Sequence, residues 1–182
     1  MAEEKDEKKE TEKIKAKITG QGIYSNSESA FSLYESSRFG EKKENKVKYS
    51  SVEALYLVEK GKLEVYSGNK KLDFEQLMRK LKKQDKKIEI NYLVFKDMRN
   101  RGYIVKTALK FGAEFRVYNK GKKPGEDHAK WILYPVLESQ TMTWHEFSAK
   151  NRVAHSTKKN LLIGIIDEEG DISYYEISWT KP

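Results

Sequence analysis

Hydrophobic and polar positions along this chain follow two periods, and the switches between them mark its elements. From Ile18, the segment ITGQGIYS and parts of FSLYESSRFG have the short alternating runs and glycine turns of strands. SSVEALYLVEKG opens on serine, carries apolar residues on one helical face and closes on glycine, which predicts a helix. LEVYSGNKKL reads as a strand and turn. Asp73 and Gln76 have the spacing of a capping box, with Phe74, Leu77, Met78 and Leu81 recurring at helical intervals behind it. The run KKQDKK has nothing to bury and closes this region.

Beyond it, IEINYLVFKDMRNRG predicts a helix with Tyr92, Phe95 and Met98 on one side and Gly102 as its stop. YIVKTAL and EFRVY predict strands joined by a tight return at KFGA. KWILYPVL predicts another strand, which Pro135 places at an edge or an end of its sheet. Thr143 and Glu146 form a second capping box, opening a helix through WHEFSAKNRVA. LLIGIID and ISYYEISW predict an antiparallel hairpin around EEG. The fold class is therefore α/β with α+β-like mixed sheets: a small N-terminal α/β domain over residues 18–88, then a mixed-sheet C-terminal domain over residues 89–182. Residues 1–17 hold six acidic and six basic side chains with few apolar ones, and predict a disordered charged tail.

Because the tail is neutral, the formal charge of +8 belongs to the body. Such a body favours a polyanionic partner through steering and counterion release, or else carries its lysines for solubility; charge alone does not separate RNA from DNA. The chain has no cysteine, which removes disulfides and thiolate chemistry. No apolar run approaches the roughly 20 residues that a spanning helix needs, so the expectation is a soluble cytoplasmic protein with no membrane partner.

The candidate chemistry lies between Arg101 and Lys159. His128, His145 and His155 have no metal-ligand spacing, a phosphate loop is absent, and carboxylates near lysine occur only in charged runs such as Asp85-Lys86-Lys87. The expectation is therefore no metal and no cofactor. Tyr118 closes the alternating run FRVY, His128 follows the turn-rich loop NKGKKPGED, and Lys159 ends the polar stretch HSTKKN. A strand end, a loop and an element boundary are places where side chains can converge at the rim of a sheet. RNA carries its own nucleophile, the 2′-OH. Its cleavage needs only a base for that hydroxyl, an acid for the departing 5′-oxygen and a cation for charge growing on the phosphoryl oxygens. Tyrosine is the demanding member. With a reference pKa of about 10, ionising it at pH 7 costs roughly 4 kcal/mol, so either its pKa is lowered by Lys159 or its proton moves in concert with attack.

NYLVFKDMRNRGYIVKTALKFGAEFRVY, a histidine ten residues after its last tyrosine, and RVAHSTKKNLLIGIIDEEGDISYY together resemble the archaeal tRNA-splicing endonuclease family, catalytic subunit, with SVEALYLVEKGKLEVY as a further matching block. The resemblance implies Tyr118 as general base, His128 as general acid and Lys159 as the transition-state cation. The register of Leu161 and Leu162 selects Lys159 over its neighbour Lys158. The implied reaction is intron excision from precursor tRNA at a bulge-helix-bulge, leaving 2′,3′-cyclic phosphate and 5′-hydroxyl ends. Arg152 matches a position that holds a bulge nucleotide, against the plainer reading of a surface salt bridge; Trp179 could stack on a base or simply pack. The resemblance further implies a tetramer with two active sites, either a homotetramer or a heterotetramer with a related structural subunit. The acidic turn Asp167, Glu168, Glu169 would form a subunit interface by entering a basic groove on a neighbour. Two other readings stand beside it: a non-catalytic RNA-binding or structural subunit, and an unrelated basic nucleic-acid-binding protein.

Overall fold

The structure is a computed structural model that describes residues 13–108 and 112–180. In the N-terminal half, β1 (Ile14–Thr19), β2 (Gly22–Ser25), β3 (Glu41–Lys43), β4 (Lys46–Tyr49), β5 (Leu63–Ser67) and β6 (Lys70–Leu72) form a mixed sheet in the order β3-β4-β2-β1-β5-β6. α1 (Glu28–Ser37), α2 (Ser51–Glu59) and α3 (Phe74–Lys82) complete that half. α4 (Ile88–Asn100) leads into β7 (Ile104–Thr107), β8 (Phe115–Tyr118), β9 (Trp131–Leu137), α5 (Trp144–Ser156), β10 (Asn160–Ile166) and β11 (Ile172–Ile177). These strands make the second sheet, in the order β11-β10-β9-β8-β7.

Alternation divides the inner strands of the second sheet between two faces. Phe115, Val117, Trp131, Leu133 and Leu162 pack with Tyr92, Val94, Phe95 and Met98 of α4, in a core that continues into α2, α3 and the first sheet. Ile132, Tyr134, Leu161 and Ile163 pack on the other face with Ala154 of α5. The two halves thus share one core through α4.

A buried polar knot fastens the same junction. Ser50 caps α2 in a reciprocal box with Glu53. Glu53 is only 4% exposed, and its second oxygen accepts from the Gly40 amide at 3.0 Å and from Lys106 Nζ of β7 at 2.8 Å. Lys106 also donates to the Gly40 carbonyl. Gly40 sits at φ 77°, and a Cβ there would lie 2.5 Å from Val47 Cγ1, so glycine alone lets the backbone reach this pair. Nearby, Arg99 lies over the Phe39 ring at 3.8 Å and donates to the Ser37 carbonyl.

Three expectations need correction, and one element was not foreseen. Residues 14–17 belong to β1, with Ile14 and Ala16 buried and paired to β5, so the charged tail of residues 1–17 is too long at its C-terminal end; residues 1–12 lie outside the described residues. FSLYESSRFG is mostly helix α1, because Ser27 caps the Ala30 amide and starts a turn that buries Ala30. The charged segment after it forms the β3–β4 hairpin, with Glu44 left-handed at φ 49°. β9 lies at the centre of its sheet rather than at an edge. Pro135 is tolerated there because β8 pairs only with Trp131 to Leu133, leaving that flank of Pro135 without a ladder partner.

Candidate active site

Strand directions bring the candidate residues to one end of the second sheet. β8 runs antiparallel to β9, and β9 runs parallel to β10, so the exit of β8 meets the entrances of the other two. Val117, Trp131 and Asn160 lie in one transverse row. The next row outward is Tyr118, Lys130 and Lys159, with Lys130 N donating to the Val117 carbonyl at 2.9 Å and Asn160 N to the Lys130 carbonyl at 3.0 Å. At about 4.8 Å per strand, the backbones of Tyr118 and Lys159 stand roughly 10 Å apart. His128 lies two residues before Lys130, in the loop that enters β9 between them. The structure therefore places all three sequence-predicted residues on adjoining elements of one sheet end.

Each is held differently. Tyr118 is only 4% exposed, and its hydroxyl makes no hydrogen bond among the described residues. Burial pushes its phenol above the ordinary tyrosine range, while the charge of Arg116 acts in the opposite direction. His128 is exposed, on a loop pinned twice. Lys122 meets Asp127 at 2.8 Å, and Glu126 reaches Arg38 at the end of α1, at 3.1 Å. The Lys122 hydrogen bond holds the Asp127 carboxyl below its usual range.

Lys159 owes its place to the end of α5. Thr157 is the C-cap, Lys158 takes the left-handed conformation at φ 56°, and the Lys158 and Lys159 amides return to His155 and Ala154 carbonyls. This is a Schellman closure with lysine where glycine is usual. It sends Lys158 to solvent and Lys159, half-buried, into the start of β10. Lys159 Nζ donates to the Thr157 carbonyl at 2.6 Å. Burial first, and Arg116 second, lower its proton affinity.

Arg152 and Trp179 stand apart from this row. Arg152 is exposed on α5 and makes no ion pair among the described residues, so the salt-bridge reading finds no partner there. Trp179 is 57% exposed rather than packed, with its ring 4.5 Å from that of His155, one helical turn beyond Arg152. In the acidic turn, Asp167 differs from its neighbours. Its carboxylate accepts from the Glu169 and Asp171 amides at 3.0 and 2.9 Å, whereas Glu168 and Glu169 project into solvent.

Two groups escaped the sequence reading. Arg116 was available in the pattern FRVY, since residues two apart on a strand share a face. His155 gave no local signal, because its stacking partner is 24 residues away. Among the described residues no helix is long and apolar enough to cross a membrane, and no three His, Cys, Asp or Glu side chains cluster as a metal site would.

The two halves match two family models. Residues 14–78 match the tRNA intron endonuclease N-terminal domain, and residues 88–174 match the tRNA intron endonuclease catalytic C-terminal domain. The class is thus an endonuclease with its catalytic domain second. Similar proteins include the tRNA-splicing endonucleases of Thermococcus onnurineus, 42% identical over 93% of this chain and 98% of that protein, and of Pyrococcus abyssi, 42% identical over 90% and 95%. That of Nanoarchaeum equitans is 47% identical over 72% of this chain and 88% of its own. The chain belongs to the tRNA intron endonuclease family.

Proposed function

We propose that this enzyme excises introns from precursor tRNA at a bulge-helix-bulge by metal-independent transesterification, with Tyr118 as general base, His128 as general acid and Lys159 as the cation. The observation that carries this reading is the convergence of the three residues at one sheet end. Tyr118 takes the 2′-OH proton as that oxygen attacks phosphorus, His128 protonates the leaving 5′-oxygen, and Lys159 faces the charge on the phosphoryl oxygens. The products are a 2′,3′-cyclic phosphate and a 5′-hydroxyl. A phenol pushed upward by burial favours proton transfer concerted with attack over a standing phenolate. Lys159, depressed in the free enzyme, regains proton affinity when a phosphate arrives.

Arg152, exposed and unpaired among the described residues, holds a splayed bulge base, with Trp179 as an aromatic surface nearby. The enzyme works as a tetramer with two such sites, either homomeric or with a related structural subunit. Exposed Tyr175 on β11 and Leu137 on β9 flank a hollow of mixed polar and apolar lining that suits a subunit contact. A cleft of about 770 Å³ between the halves, with Lys43 and Lys48 on its wall among Glu41, Asp85 and Glu114, is where the acidic turn of a neighbour enters.

The test is cleavage of an intron-bearing precursor tRNA in excess EDTA, with and without the 2′-OH at the cut. Cutting is expected to persist in EDTA and to stop on the 2′-deoxy substrate. Tyr118→Phe, His128→Ala and Lys159→Ala each slow the chemical step by roughly 10²–10⁴-fold while RNA binding holds. Products with 5′-phosphate, or activity that EDTA abolishes and Mg²⁺ restores, overturn the mechanism.

A further inference from the structure

Six arginines lie among the described residues. Arg38 and Arg101 pair with carboxylates, Arg99 is seated on Phe39 and backbone carbonyls, and Arg79 and Arg152 are exposed on helices, where water can solvate an unpaired guanidinium. Arg116 is half-buried, has no ion pair among the described residues, and leaves its Nε buried without a hydrogen-bond partner. Burying a guanidinium stem without a counter-ion is unfavourable, so such a residue needs a compensating use.

Its place in the sheet suggests that use. Arg116 pairs in register with Ile132 of β9, which pairs with Leu161 of β10. Two residues outward along the three strands stand Tyr118, Lys130 and Lys159. Arg116 and Tyr118 are two apart on β8, so their side chains leave the same face, with Cα atoms about 6.7 Å apart. The floor of that face is apolar, from Ile132 and Leu161, so a charge there is poorly screened.

We propose that Arg116 is a positioning residue for the RNA-cleaving base: fixed one pleat repeat behind Tyr118, its guanidinium supplies positive charge that favours the phenol's loss of a proton as the 2′-OH is attacked. This rests on Tyr118 being the base. The other groups around the phenol do less for it. Ile104 of β7, opposite Tyr118, is apolar, and Lys106, opposite Arg116 on the same strand, is paired with Glu53 at 2.8 Å. Lys130, just before β9, is turned to Glu176, at 3.6 Å. His128 is out in the loop, and Lys159, just before β10, directs a hydrogen bond to the Thr157 carbonyl. Burial raises the phenol, and Arg116 is the charge that counters it.

The sign of one titration separates charge from architecture. In protein carrying 13Cζ-tyrosine, with the Tyr118 resonance assigned by its loss in Tyr118→Phe, Arg116→Gln should move the Tyr118 titration to higher pH still. A merely structural role for Arg116 gives the reverse, because a loosened site rehydrates the phenol and lets it fall back toward the ordinary value. Arg116→Lys should restore the wild-type titration. In single-turnover cleavage at saturating enzyme, Arg116→Gln should slow the chemical step about three- to tenfold and Arg116→Lys much less, as expected for partial proton transfer in the transition state. Affinity for the 2′-deoxy precursor should be unchanged. A titration that stays or falls in Arg116→Gln, or a loss of RNA affinity in place of the rate effect, overturns the proposal and makes Arg116 a structural or phosphate-gripping residue. If Tyr118→Phe cuts normally, the reading of Tyr118 as base fails; if it is inactive while Arg116→Gln leaves the titration unmoved, only the role of Arg116 fails.

Discussion

Lys106→Met is the sharpest test of how the two halves are joined. The ammonium is 7% exposed and its partner Glu53 is 4% exposed, so solvent cannot replace either partner of the pair. Met keeps the length of the stem and removes the charge. Glu53 would keep its bonds to the Ser50 amide and hydroxyl and to the Gly40 amide, but would lose the cation that compensates its buried charge. Breaking a buried pair from one side costs about 3–5 kcal/mol. For a chain of this size, about 2–4 °C per kcal/mol gives a fall in melting temperature of roughly 6–20 °C. Removing both charges with Glu53→Gln and Lys106→Met should cost less than the two single changes together, because neither partner is left stranded. Thermal and urea unfolding of all four proteins measures the cycle. Since the pair joins α2 to β7 inside a continuous core, unfolding should remain a single transition. A loss below about 1 kcal/mol for Lys106→Met would refute the buried pair, and a wild-type protein whose halves melt separately would refute the shared core.

Three further outcomes are expected. Lys158→Gly should leave cleavage intact and keep or raise stability, by up to about 1 kcal/mol, because it relieves a left-handed lysine at the end of α5; a loss of cutting would assign the cation to the wrong lysine. Deleting residues 1–12 should leave melting and cleavage nearly unchanged, whereas deleting residues 1–17 should destabilise the fold strongly, since it removes buried Ile14 and Ala16 and every described β1–β5 pairing; equal melting of the two truncations would contradict this. Reversing Glu168 and Glu169 to lysine should dissociate the assembly and leave each subunit folded, as light scattering and circular dichroism would show, while an unaffected tetramer would remove the turn from the interface. Asp167 is best left in place, because its carboxylate organises the turn itself.

The sequence showed the catalytic half more clearly than the N-terminal half, and the reason is physical. Thr143 and Glu146, the stop at Gly102 and the hairpin around EEG are local signals, and each has its expected structure here. α1 lacked such a signal: Phe31, Leu33 and Tyr34 bury only part of their surface, and the capping serine is one of several. β3 is an edge strand of three exposed charged residues, the composition that edges use to avoid pairing with other chains, so it lacks the alternation of a half-buried strand, and β4 alternates over only four residues. Pro135 argued correctly about its own missing donor and wrongly about the strand, because whether a flank is paired depends on where the neighbouring strand stops.

Arg116 shows the limit of that reading in another way. As a residue in FRVY it is one more arginine in a basic chain, and nothing local sets it apart from Arg101, which pairs with Asp97 four residues earlier on the same helix. Its distinction depends on three strands at once. The antiparallel register of β8 and β9 places it behind Tyr118, the parallel register of β9 and β10 brings Lys159 to the same end, and α5 has to end in a left-handed lysine for β10 to start in phase. A one-residue change at that helix end would put Lys158 in the place of Lys159 and, because strand side chains alternate, send Lys159 to the opposite face. The strained closure of α5 is thus the element that fixes which lysine shares the sheet end with Tyr118.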